Sequence, residues 1–104
     1  MINSFFFRNK DSFSGFEIDG HANFDQSGRD IVCAGVSSCA IMAANTVTDV
    51  IKSGAYVVCE DGKISLSLCE SNTAAQAVIE GLYLHLTEIA LSYPKNITIA
   101  IRED

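Results

Sequence analysis

The chain has 104 residues, 48% of them hydrophobic, with a single proline. This suits one domain with one apolar core and leaves no stretch that reads as a long linker or low-complexity tail. A formal charge of −6 and a pI near 4.7 argue against nucleic acid and anionic membranes, which basic patches hold, and suit a basic partner.

The opening Met1-Ile2-Asn3-Ser4-Phe5-Phe6-Phe7 is apolar but short, with no basic leader and no small-residue cleavage site. No apolar run reads as long enough to cross a bilayer, so the expectation is a cytoplasmic protein. The four cysteines, Cys33, Cys39, Cys59 and Cys69, contain no C-x-x-C pair. In the cytosol they read as reduced thiols rather than disulfides or a zinc site, and no metal or other cofactor is implied.

Residues 2–8 are Phe-rich without a helical period and predict a strand. Asn9-Lys10-Asp11 is a turn. Residues 12–19 alternate, Phe16 and Ile18 against Glu17 and Asp19, which predicts a second, half-buried strand closing a hairpin. Gly20 ends it. Ala22 to Arg29 is polar and reads as a mobile loop, with Phe24 its odd apolar residue.

Asp30 is a good N-cap for a helix from Ile31 to about Ser53, with Val32, Val36, Ile41, Met42, Val47, Val50 and Ile51 as its apolar residues and Gly54 as its C-cap. Residues 55–60 predict a strand. Asp61-Gly62 signals a two-residue type I′ turn, and residues 63–70 alternate as the returning strand. Ser71 or Asn72 can cap a second helix, Thr73 to about Ser92, striped by Val78, Leu82, Ile89 and Tyr93 with Leu86 close by. Ile79, Tyr83, Leu84 and Leu91 widen its apolar surface, as in a central helix or a subunit interface, and Pro94 stops it. Residues 96–102 are a last strand with Ile97, Ile99 and Ile101 inward. The order β-β-α-β-β-α-β predicts an α+β fold: a mostly antiparallel five-stranded sheet with both helices on one face and a Ser- and Thr-rich opposite face.

Asp19 to Ser38 concentrates the chemistry. Cys33 falls in the first turn of the first helix, where free N–H groups and the positive end of the dipole favour a thiolate. His21 follows Gly20 at a strand end, so the backbone can turn sharply and aim the imidazole at a neighbouring element as a general base and acid. Asp30 and Ser37 lie three residues before and four after Cys33, near one helix face. Asp30 reads first as the cap and Ser37 as a small polar helix residue, or as a hydrogen-bond donor into the site. Backbone N–H groups near Cys33 and Gly35 are candidates for an oxyanion hole. Asp19 or Asp25 is a candidate to orient His21. Cys39, Cys59 and Cys69 read as inert thiols, and His85 as a packing or interface residue.

Gly20-His21-Ala22 after a strand, a loop ending in Gly28, and Asp30-Ile31-Val32-Cys33-Ala34-Gly35-Val36-Ser37 together closely resemble the ribosomal-processing cysteine protease family, Prp. Met1-Ile2, the run Phe16 to His21 and Tyr93-Pro94 also match, so the resemblance covers essentially the whole chain. It implies a cytoplasmic, homodimeric α+β endopeptidase. Such enzymes remove a short, Phe-containing N-terminal extension from protein twenty-seven of the large ribosomal subunit. It also implies that His21 is the catalytic histidine and Cys33 the nucleophile, with Asp30 and Ser37 beside the site. Gly35 stands where the family commonly has Ala.

Two other readings compete. A non-catalytic ribosome-assembly module would bind the same ribosomal protein without cutting it. A thiol redox protein would need Cys33 and Cys39 to pair, and their six-residue separation puts them on different sides of a helix.

Overall fold

The structure is a computed structural model and describes residues 1–20 and 31–103. The elements are β1 (Ile2–Asn9), β2 (Ser12–Gly20), α1 (Ile31–Asn45) running into a π-helical turn (Thr46–Val50), β3 (Ala55–Glu60), β4 (Lys63–Leu68), α2 (Thr73–Ser92) and β5 (Ile97–Glu103). They match the predicted order. The five strands form one sheet in the order β3-β4-β2-β1-β5. It is mixed: β5 runs parallel to β1, and the other neighbours are antiparallel. The long connection through α2 is what lets β5 return in β1's own direction.

Alternation sets the register. Ile2 pairs with Gly20 and Ile97, Phe6 with Phe16 and Ile101, Ile18 with Ile64, and Phe16 with Leu66. These residues share the face covered by the helices, where most of them are buried. The opposite face carries Glu17, Ser65, Ser67 and Thr98 as expected, but also Phe5, whose ring lies 4.0 Å beneath the Arg102 guanidinium. On the helix side, Phe6, Phe13 and Tyr83 stack edge to face or tilted, with Phe6 and Tyr83 centroids 5.2 Å apart.

In α1 the residues against the sheet are Val32, Val36, Ala40, Ala43, Ala44 and Val47. Of the apolar residues named from the sequence, Val32, Val36 and Val47 are buried, whereas Ile41, Met42 and Val50 are exposed, Met42 at 66%. Alanines continue the line of Val32 and Val36, so this short-chained stripe faces the sheet and the larger side chains turn outward. Ile31–Val50 is long and apolar enough, by length and composition, to cross a membrane, which overturns the expectation that no run reaches that length. Its composition reflects a packed face of small residues plus an apolar outer face.

The helix also ends earlier than expected. The Ile51 N–H donates to the Thr46 carbonyl at 2.8 Å, closing the wide π turn, and Lys52 takes the left-handed conformation (φ 61°) expected of Gly54. Gly54 instead accepts from the Cys69 N–H at 2.9 Å, extending the β3–β4 ladder. For α2 the cap is Asn72, whose Oδ1 accepts from the Ala75 N–H at 2.9 Å. Its Nδ2 donates to Ser53 Oγ at 2.8 Å, tying the start of α2 to the end of α1. The buried line of α2 is Ala75, Ile79, Leu82 and Leu86. Of the predicted stripe, Leu82 and the neighbouring Leu86 are buried, Val78 and Ile89 pack against the core partly buried, and Tyr93, Leu84 and Leu91 are exposed.

Candidate active site

The strand ends meet the first half of α1 at one end of the sheet. Ile2 opens β1, Gly20 closes β2, and Gly62 sits in the β3–β4 turn. The Gly20 N–H donates to the Gly62 carbonyl at 2.8 Å, joining two of these ends. Gly20 has φ +95°, and a Cβ there would run into the Met1 carbonyl oxygen. Only glycine fits at this position.

Above these ends lies a pocket of about 160 Å³. Its apolar floor is Ile2, Ile18, Val36 and Ile64. From α1 come Cys33, Ser37 and Ile41, spaced four residues apart on one face. The far wall is the β3–β4 hairpin, with Cys59, Glu60, Asp61, Gly62 and Lys63. Lys63 Nζ lies 3.6 Å from Glu17 Oε1, so its charge is engaged by β2, while Glu60 and Asp61 stand at the rim with no ion-pair partner among the described residues.

Three of the residues singled out from sequence are therefore brought together: Cys33, Ser37 and Gly20 line one pocket. Cys33 is half-buried in the first turn of α1, and Ser37 is exposed one turn on. His21, Phe24 and Asp30 lie outside the described residues, as do the proposed loop and Asp25.

The other cysteines differ from expectation. Cys59 and Cys69 are exposed rather than buried, and Cys59 shares the pocket with Cys33. Its position was recoverable: a two-residue turn at Asp61-Gly62 sets Cys59 opposite Ile64, which puts its side chain on the helix-covered face. Cys39 is half-buried and donates from Sγ to the Val36 carbonyl at 3.3 Å. Burial pushes its thiol above the ordinary value, against a smaller downward pull from the N–H groups of Cys39 and Ala40. Cys39 lines a separate groove between α1 and α2, so Cys33 and Cys39 open on different sides of the helix, which removes the basis of the redox reading. His85 is exposed on that same groove and is not a packing residue.

A half-buried thiol in a first helical turn, beside an apolar pocket, is suited to nucleophilic attack on a bound carbonyl. Comparison with known proteins identifies the family. The family model described as cysteine protease Prp matches residues 1–98. The ribosomal processing cysteine protease Prp of Bacillus subtilis (strain 168) is 36% identical across 81% of each chain. A crystal structure from Streptococcus mutans superposes with a TM-score of 0.88 at 25% identity, covering 100% of this chain and 96% of that one. The ribosomal processing protease Prp of S. aureus, crystallised with a covalently linked product peptide, has the same fold (TM-score 0.89, 24% identity, 98% of this chain and 100% of that one).

Proposed function

The chain belongs to the cysteine protease Prp family, and from that premise we propose that it removes the N-terminal extension of protein twenty-seven of the large ribosomal subunit. It is a cysteine protease. The observation that carries the reading is Cys33, set in the first turn of α1 and lining an apolar pocket at the sheet end where β2 stops at Gly20. The residue after Gly20 is His21.

In the proposed reaction the Cys33 sulfur attacks the scissile carbonyl carbon, and His21 takes the thiol proton. Backbone N–H groups at the start of α1 hold the oxyanion. His21 then returns the proton to the leaving amine as the C–N bond breaks, leaving a thioester on Cys33. Water, relieved of a proton by His21, hydrolyses it to the carboxylate and the free thiol. Asp30, Ser37 and Phe24 support the site from α1 and the segment before it. The apolar floor suits a Phe-containing peptide. Glu60, Asp61 and the net charge of −6 suit a basic ribosomal protein.

The enzyme acts in the cytoplasm, where that substrate is made, and works as a homodimer. Support for the dimer is the outward apolar face of the helices, with Met42 and Leu84 exposed and a groove between α1 and α2 lined by Met42, Val78 and Leu82.

The test is incubation with the full-length precursor, read by mass spectrometry. A single defined N-terminal cut is expected, abolished in Cys33→Ala and nearly abolished in His21→Ala. Precursor that binds but stays intact would replace the protease reading by the assembly-module reading. Cleavage by Cys33→Ala at the wild-type rate would remove Cys33 from the chemistry.

A further inference from the structure

The two edges of the sheet are built differently. At one edge β5 ends in Arg102 and Glu103, and Arg8 of β1 holds Glu103 in an ion pair at 2.9 Å. These charges guard only the end of β5, since Ile97–Ile101 carries none, but α2 packs against that strand. The other edge is β3, Ala55-Tyr56-Val57-Val58-Cys59-Glu60. It has no proline, no bulge in its pairing with β4 and no charge before its last residue. Tyr56 is 75% exposed and Val57 40%. Among the described residues nothing pairs with this apolar edge of six residues, and an unpaired edge is a strand template.

The direction of its free groups follows from the pairing. Gly54 and Cys69 stand opposite each other and are hydrogen-bonded. In an antiparallel ladder bonded and non-bonded pairs alternate. Tyr56, Val58 and Glu60 therefore point their N–H and C=O groups to β4, while Ala55, Val57 and Cys59 point theirs to the open edge. Val57 and Cys59 lie opposite Leu66 and Ile64, so their side chains turn to the helix side of the sheet. Among the described residues, the packing of α1 reaches β4 and leaves these two exposed. Cys59 at the end of this edge shares the pocket with Cys33.

We propose that the substrate's extended segment binds as an added strand on the free edge of β3, bonding to the backbone of Val57 and Cys59, and that this edge delivers the scissile bond to Cys33. The inference rests on the protease reading for what happens at Cys33, and adds how the chain is held. Main-chain pairing supplies affinity, and every second side chain of the added strand faces the groove between β3 and α1. Continuity of this edge with the Cys33 pocket selects the substrate as its occupant over a second copy of the chain.

The probe is a fluorescein-labelled peptide spanning the extension and first mature residues of the ribosomal protein precursor. Val57→Pro removes one edge donor and blocks an incoming strand. It spares the β3–β4 ladder, because the lost N–H is not part of it. Expected is a rise in KM of at least tenfold with kcat changed less than threefold, and unchanged iodoacetamide labelling of Cys33. Val57→Thr, which keeps the amide, should fall nearer wild type than Val57→Pro. Equal KM values for Val57→Pro and Val57→Thr overturn the proposal and leave the protease reading standing. If the wild type binds the peptide without cutting it, the protease reading falls. Anisotropy with Cys33→Ala and Cys33→Ala/Val57→Pro then still decides strand addition.

Should Val57→Pro fail to fold, amide exchange on Cys33→Ala serves instead. The Val57 and Cys59 N–H groups should be protected at least tenfold when peptide is added. Exchange unchanged by peptide overturns the proposal. So does conversion of a dimer to a monomer by Val57→Pro, which would give the edge to a second copy.

Discussion

One chemical change, Gly→Ala, should have opposite effects at two glycines flanking the site. At Gly20 the backbone sits at φ +95°. An alanine there costs about 1–2 kcal/mol in backbone conformation. Its Cβ would also meet the Met1 carbonyl oxygen, which is backbone and cannot swing aside. The β1–β2 end must then part where Ile2 pairs with Gly20, straining the 2.8 Å bond from the Gly20 N–H to Gly62. Losing one such bond adds about 1 kcal/mol or more. The expected total is about 3 kcal/mol, or a fall in Tm of about 12 °C. Gly35 is different: it is exposed in α1, and a Cβ there meets nothing within 4 Å. Replacing it should stabilise the protein by about 1 kcal/mol through helix propensity alone. Urea unfolding followed by circular dichroism checks both: the midpoint of Gly20→Ala should drop by about 1–2 M, and that of Gly35→Ala should rise by about 0.5 M. Precursor cleavage should fall in Gly20→Ala even where it is fully folded, because Gly20 lines the Cys33 pocket. Gly20→Ala within about 0.5 kcal/mol of wild type, or a destabilised Gly35→Ala, would refute the reasoning.

Three more expectations follow from contacts away from the site. Gln76 of α2 clasps the Phe13 backbone from both sides, donating to its carbonyl at 2.6 Å and accepting from its N–H at 2.7 Å. Gln76→Ala should cost about 2 kcal/mol in a urea melt, since both backbone groups lose their partner. Ser4 is 0% exposed and its hydroxyl has no partner among the described residues. Ser4→Ala should therefore be neutral or stabilising by up to about 1 kcal/mol, and a clear loss of stability would reveal a bonded hydroxyl. Cys39 has a raised thiol pKa in the folded state. The folded protein then holds that proton more tightly than the unfolded chain. Its contribution is fully present below the unfolded thiol pKa and is lost as pH rises through the folded one. Cys39→Ala should flatten the alkaline loss of stability measured by urea melts between about pH 8 and 10.

The order of elements was legible because each strand alternates and each helix is closed by a recognisable signal, such as Asn72 before α2 and Pro94 after it. The parallel return of β5 was not, since Ile97–Glu103 carries no mark of which edge it joins. The turn at Asp61-Gly62 was placed correctly but its type was not. Positive φ occurs at Gly62 (76°) and not at Asp61, so it is not type I′. Side-chain size does not reveal which face of α1 packs. Ile41 and Met42 carry more apolar surface than Ala40, Ala43 or Ala44, yet the alanines face the sheet. At the site, the sequence brought Cys33, Ser37 and Gly20 together because helix spacing and a strand end are local properties. Cys59 was passed over because its approach to Cys33 depends on how the β3–β4 hairpin lies against α1, a contact between segments far apart in the chain.

The same small residues explain why the site falls where it does. Ala40, Ala43 and Ala44 are the buried small residues that let α1 pack closely, Ala43 toward α2, and Val32 and Val36 extend the buried line to the first turn. One step round the helix, Cys33, Ser37 and Ile41 then necessarily face the β3–β4 hairpin. Larger residues on the packed line would lift α1 and open the distance between Cys33 and the strand ends. The face bearing Cys33 is thus fixed by packing that takes no part in chemistry. Beside it, among the described residues, the β3 edge carries no charge before Glu60 and leaves Tyr56, Val57, Val58 and Cys59 exposed. Backbone pairing along such an edge would grip a peptide in the extended form that places a carbonyl within reach of a thiol.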